Sequence, residues 1–285
     1  MCALPICSYS SIDVYGGVQL AVGSNLGLEA AQIRGMENAG SAAAIHAGQD
    51  LRISNPNGIV ASTAASGTAS TLVIAAGRDL TLGTVSAASN SGALSIGGYQ
   101  NVTLSAGRDL AVDGKGSLTI AADLALNARR ITGRTGADFE IKALDPSVLD
   151  PSSSWRSIVT GSAQTPWQGT LPAIADLAAR LKITGSSVTH GGVINLPSGA
   201  LQLKAMGTGG NVELLDGASI IALGAVKQFD TQYVYAPGGA VTLSSVSGDV
   251  IVNNGASIDV SGAEGGDAGS ITVQAANGEI GRAHV

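Results

Sequence analysis

The residues whose types and spacing suit chemistry are few. Asp138 and Glu140 flank Phe139, and on a strand both would point to one face about 6.5 to 7 Å apart. That separation falls within the range of the paired carboxylates that cleave polysaccharides. Lys142 continues the same face, however, and a carboxylate beside a lysine is the pattern of a solvated strand. Asp145 and Asp150 each precede a proline, the setting of a turn. His46 and His190 stand at no metal-ligand spacing from another His or a Cys. Neither a metal nor a cofactor is therefore expected, and both histidines are expected at the surface or at corners. Trp155, Arg156 and Trp167 belong to the residue types in which binding energy concentrates, which makes them the candidate contact residues. The alternative is that both indoles pack their loop onto the body of the protein.

Several short motifs carry less. Asn55-Pro56-Asn57-Gly58-Ile59 places Asn, Pro and Gly in the order of an ordinary turn. Gly207-Thr208-Gly209-Gly210 lacks the Lys and Ser/Thr of a phosphate loop. Gly265-Gly266-Asp267-Ala268-Gly269 is one imperfect copy of a calcium nonapeptide that works only in tandem.

The 285 residues include 40 glycines and only two Trp, five Tyr and two Phe, and charged residues are 13% against roughly 25% in average proteins. A core here must be built from Val, Ile, Leu and Ala. The formal net charge of −6, with no run of Lys or Arg, excludes the basic stripe that nucleic-acid binding needs. No stretch of about 18 consecutive apolar residues is present, so no transmembrane helix is expected.

The elements that must position these residues show in the repeats. Ala47-Gly48-Gln49-Asp50-Leu51, Ala76-Gly77-Arg78-Asp79-Leu80 and Ala106-Gly107-Arg108-Asp109-Leu110 recur 29 and 30 residues apart. A second family aligns 210–225 with 248–263 at an offset of 38, sharing Gly-Ala-Ser-Ile at 217–220 and 255–258. Within the repeats a turn residue is followed by apolar and small residues in alternation, as in Asp79-Leu80-Thr81-Leu82 and Asn101-Val102-Thr103-Leu104. Period two is the signature of a strand. Strands this short, separated by Gly, Asn, Asp or Ser, suit a chain coiling around an axis, each strand pairing in parallel with its equivalent one coil away. The expected fold is all-β, a parallel β-helix, with Leu80, Leu82, Val102, Leu104, Leu110 and Val112 pointing inward. At roughly 20 residues per coil the chain would make about a dozen coils.

The rhythm breaks over 143–181, which holds both tryptophans and Pro146, Pro151, Pro166 and Pro172. This is expected to be an irregular, partly helical insertion between β-helix repeats at 7–142 and 182–279. The helix is expected over Pro172–Leu181, where proline opens the segment and Ile174, Leu177, Ala178 and Leu181 are spaced three and four apart. A second interruption, 226–235, carries Phe229, Tyr233 and Tyr235 and is expected to be a surface loop. Back-translation of residues 2–6 and 280–285 yields strings that overlap as reverse complements, in the manner of a sequencing adapter. Residues 1–6 and 280–285 are therefore expected to be read-through scars on a segment of a longer frame.

The Ala-Gly-Arg-Asp-Leu units, together with Gly255-Ala256-Ser257-Ile258-Asp259-Val260-Ser261-Gly262 leading into Gly266-Asp267-Ala268-Gly269-Ser270-Ile271-Thr272-Val273, resemble the filamentous haemagglutinin family, the large exoproteins of Gram-negative two-partner secretion. The resemblance implies a right-handed β-helical shaft and export through an outer-membrane transporter. It also implies a place at the cell surface and a role in adhesion, biofilm, contact-dependent toxin delivery or haem acquisition, with an unspecified receptor or glycan as partner. Asn55-Pro56-Asn57-Gly58-Ile59 is similar to a motif of the family's secretion domain, although Val60-Ala61-Ser62-Thr63 does not continue that pattern. The Gly-Arg-Asp at 77–79 and 107–109 is not the Arg-Gly-Asp by which some members bind integrins. The expected function is thus a structural, non-enzymatic shaft presenting loops for attachment. The alternative is a β-helical polysaccharide lyase or hydrolase using Asp138 and Glu140.

Overall fold

The computed structural model describes residues 4–59, 65–83, 92–150, 153–163, 165–230 and 232–282. Among the described residues the chain winds through three parallel sheets of nine, nine and ten strands. The first coil shows the plan: Leu4–Cys7 lies on the first sheet, Ser11–Tyr15 on the second and Gln19–Val22 on the third. Each strand then pairs in parallel with the strand one coil further on, so Leu26 faces Leu51, Leu51 faces Leu80 and Leu80 faces Leu110. The fold is a parallel β-solenoid. The spacings of 29, 30 and 38 residues in the sequence are the coil register itself, the last appearing as Val212 opposite Val250 and Ile220 opposite Ile258.

Alternation decides which side chains fill the interior. Leu80, Leu82, Leu104, Leu110, Val112, Leu118 and Ile120 are fully buried and stack above one another as aliphatic ladders. Each such side chain contributes about 1.5 to 3 kcal/mol on leaving water. A narrow interior filled this way needs few aromatic residues; Tyr99 and Phe139 are the largest side chains within it.

Corners require close stacking. A Cβ added to Gly77 would strike the carbonyl oxygen of Gly48, and one added to Gly107 would strike that of Gly77. The glycine of the repeated pentapeptide is thus dictated by the approach of backbone to backbone at the corner between the third and first sheets.

Four expectations are corrected. The structure contains no helix among the described residues, and Pro172–Leu181 runs as irregular chain until the strand Arg180–Gly185 begins. Ten residues are too few for an isolated helix, and the groups a helix would bond internally are engaged by the solenoid. Leu177 accepts from the Gly136 amide through its carbonyl, the Ala178 amide donates to Pro197, and Lys227 Nζ donates to the Ala175 carbonyl. Ala178 also takes a left-handed φ of 60°, which no helix interior contains. The second correction is coil number: among the described residues the longest sheet has ten strands, spanning about 43 Å at the usual strand spacing. Long excursions lengthen several coils, which reduces their number. Third, His190 is not at the surface but fully buried in the third sheet, because alternation in Val188–His190 turns both ends inward; His46 is exposed. Fourth, 226–235 carries exposed Tyr233 and Tyr235, as a surface loop would, but its backbone is regular, an antiparallel hairpin of Ala225–Phe229 with Gln232–Ala236.

Candidate functional site

Two departures from the solenoid meet at the corner between the second and third sheets. One lies in the third coil, where Leu51–Ser54 leads to Thr71–Ala76 with no second-sheet strand among the described residues. In its place, Gly92–Gly97 pairs directly with Gln32–Met36. The other is 144–157 in the sixth coil, after which Ile158–Gly161 rejoins the third sheet. Their meeting point is Asp145, 2% exposed. Its carboxylate accepts from the Ser66 amide at 3.1 Å, the Ser147 amide at 3.0 Å, the Ser147 hydroxyl at 2.5 Å and Arg156 Nη2 at 3.3 Å. Burial alone would push this carboxyl up, but those donors outweigh it and hold the pKa below the ordinary value.

Above this joint lies a cleft of about 510 Å³. Trp155 and Arg156 line it from one side and the 66–69 turn from the other, with Gln100 and Asp123 between them. Trp155 is half-buried, and its backbone forms an isolated antiparallel bridge with Leu144. Asp123 takes the Ser157 amide at 2.9 Å and its hydroxyl at 2.8 Å, both on Oδ1. Ala69 on the rim adopts a φ of 51°, a strained conformation for a residue with a Cβ.

Trp167 stands elsewhere. It borders a groove of about 660 Å³ over the outer face of the third sheet, whose floor includes His46, Ala75, Ser105 and Asn127. The Arg108 guanidinium lies 5.3 Å from its ring centre, and Gly169 packs so closely on the ring that a Cβ there would collide with it. Arg129 Nη1 donates to the carbonyls of Trp167 at 2.7 Å and Gly169 at 2.8 Å. Trp167 therefore clamps 165–169 to the solenoid at the edge of its own groove, and Trp155 lines the separate cleft over Asp145.

Comparison with models of known families, with curated proteins and with solved structures returned no match.

Asp138 and Glu140 do share the outer face of the strand Asp138–Ala143, as the alternation implies. Glu140 is held between Lys142 at 2.7 Å and Lys182 at 2.8 Å. Partial burial would raise its pKa, yet the two ammonium groups outweigh burial and leave it lowered. A general acid needs the opposite displacement. Asp138 lies opposite Arg180 of the next coil, on the open face of the sheet.

Asn55-Pro56-Asn57-Gly58-Ile59 forms a turn closed from the Gly58 amide to the Asn55 carbonyl at 3.3 Å, with Gly58 at a φ of 65°. Asn55 is buried, and its side-chain amide donates to the carbonyls of Ile59 at 2.7 Å and Ala93 at 2.8 Å. The turn thus launches the third-coil excursion and ties it to the fourth coil; residues 60–63 lie outside those described. Gln100, Asp123 and the 66–69 turn were not singled out in the sequence. Their only signal there is that each sits at a corner, before or after a strand.

Proposed function

We propose that this chain is a structural segment of a secreted, cell-surface adhesin of the filamentous-haemagglutinin type. It acts as a stiff shaft that carries loops outward for attachment, and it is exported through an outer-membrane two-partner-secretion transporter. The observation that carries this reading is the solenoid with a continuous aliphatic interior, beside which the hairpin Ala225–Phe229 with Gln232–Ala236 stands out from the coils. A rod of that kind extends by adding coils without changing its core. Right-handed winding belongs to the same reading, since parallel crossovers are right-handed in nearly all proteins. The polysaccharide-cleaving alternative is weaker, because Glu140 is neutralised by two lysines instead of being poised for proton transfer.

The test uses the whole chain coupled to beads, with attachment to epithelial and bacterial cells counted against albumin-coated beads. Acidic polysaccharides are incubated with the same protein. Attachment above the control without turnover is the expected result. Turnover of a polysaccharide that Asp138→Asn and Glu140→Gln both abolish would overturn the reading in favour of an enzyme.

A further inference from the structure

We propose that the cleft beside Trp155 is a recognition subsite for one or two uncharged sugar units, a hexose or N-acetylhexosamine, of a surface glycan. The inference deepens the attachment reading above by naming what one of the presented loops would hold. Four features support it.

The cleft is preformed. Its walls come from residues 79 positions apart, joined through the buried Asp145 carboxylate. Its back is fixed by backbone bonds from the Arg156 amide to Ala143 at 2.9 Å and from the Ser186 amide to Arg156 at 2.7 Å. A rigid site loses little entropy on binding.

The side chains match a sugar's two kinds of surface. The Trp155 indole offers a flat apolar body for the C–H face of a pyranose. Around it, Gln100 supplies an amide, Asp123 a carboxylate and Arg156 a guanidinium. Each is a planar group able to engage two neighbouring hydroxyls at once. Asp123 holds Ser157 through Oδ1, which directs its engagement with the protein to one side of the carboxylate.

Charge selects within the class. Arg156 is matched by Asp145 at 3.3 Å, so Asp123 leaves the cleft with a net negative charge. Sulfated and sialylated sugars, nucleotides and phosphate are disfavoured by that sign. Size agrees as well, because about 510 Å³ lies within the span of small-ligand pockets. A peptide is the poorer fit: its usual docking modes need an open strand edge, an apolar groove or an arginine cluster, and the strands beneath this cleft are already paired on both sides.

The experiment titrates the whole chain with lactose, N,N′-diacetylchitobiose and mannobiose as neutral probes and a heparin disaccharide as the charged one. Binding is followed by calorimetry and tryptophan fluorescence. Saturable binding of at least one neutral probe is expected, weakened about tenfold in Trp155→Ala. Weakening is expected also in Gln100→Ala, whose exposed side chain leaves folding undisturbed, and none in Trp167→Phe. The proposal is overturned if no neutral probe saturates, if binding survives unchanged in both Trp155→Ala and Gln100→Ala, or if the heparin disaccharide is preferred. Bead attachment by the same variants separates the two readings. Attachment without saccharide binding removes the subsite and keeps the shaft, while saccharide binding without attachment keeps the subsite and removes the adhesive role.

Discussion

The corner leading into Leu51–Ser54, Leu80–Gly83 and Asp109–Asp113, and the corner leading into Val212–Leu214, Val250–Val252 and Ile280–Arg282, meet one physical need with different side chains. At both, a glycine permits tight stacking and the next acceptor residue captures an amide of the adjacent coil. In the N-terminal half the amides of Asp50, Asp79 and Asp109 donate to the side chains of Asn25, Asp50 and Asp79 at 3.1 to 3.3 Å. In the C-terminal half the amides of Asp249 and Glu279 donate to Asn211 and Asp249, both at 2.8 Å. Only the N-terminal corner adds arginines. Arg78 clamps Asp50, Arg108 clamps Asp79, and Arg130 clamps Asp109 with two bonds of 2.9 Å. The comparison separates two jobs: the short acceptor satisfies backbone at the corner, and the arginine fixes which coil lies above which.

The largest expected effect comes from breaking the ionic corner where it is most enclosed. Side chains of Arg130 and Asp109 are 8% and 12% exposed. Arg130→Ala would leave the enclosed Asp109 carboxylate with only Arg108 at 3.8 Å and is expected to cost about 3 kcal/mol, the lower end for breaking a buried pair, read from the denaturant midpoint. A loss under about 1 kcal/mol, the range of an exposed pair, would mean that the arginines are ornamental and the two corners equivalent.

Acid titration separates the halves by pH. His190 is buried beside Thr160, whose Oγ1 lies 2.6 Å from Nδ1, and its Nε2 lies 3.3 Å from the Ser219 carbonyl. Since that carbonyl only accepts, Nε2 carries the proton and Nδ1 accepts from Thr160. Burial depresses the imidazole below its ordinary value of 6.5. The unfolded chain thus binds the proton more readily, so His190 favours the fold above pH 6.5 and that contribution declines as pH falls from 6.5 toward the lowered folded value. Asp50, held below 3.8 chiefly by the hydrogen bond from Arg78, loses its contribution only below 3.8. Hydrogen exchange across an acid series is therefore expected to open the C-terminal coils first, and His190→Leu to remove that early step. Simultaneous opening of both halves would contradict the assignment.

Legibility followed the same division. The pentapeptide and the 38-residue repeat were visible because the corner device is written into each coil, so spacing in the sequence equals register in the sheets. The inward ladders followed from alternation alone. His190 obeys that alternation too: its place in the strand Val188–His190, and not its polar residue type, decides its burial. The helix over Pro172–Leu181 failed for a reason outside the segment, since Thr135, Gly136 and Pro197 compete for its backbone and for Asp176. The cleft was half visible. Trp155 and Arg156 stood out by type, but their partners reach them only through the stacking of coils three to seven, a proximity that sequence spacing does not encode.

The smallest expected effect tests whether the C-terminal corner works by backbone capture alone. Asn211→Ala removes the acceptor of the Asp249 amide while keeping Gly210, whose approach to Ser186 leaves no room for a Cβ. Without an arginine at this corner no charge is stranded, so the cost should be that of one neutral hydrogen bond, about 1 kcal/mol, with the freed amide of Asp249 exchanging faster. Asn211→Asp keeps the acceptor and should retain most of the stability, because Asp249 itself already serves the Glu279 amide in that way. A cost for Asn211→Ala approaching that of Arg130→Ala would mean that backbone capture, and not the ion pair, carries the corner in both halves.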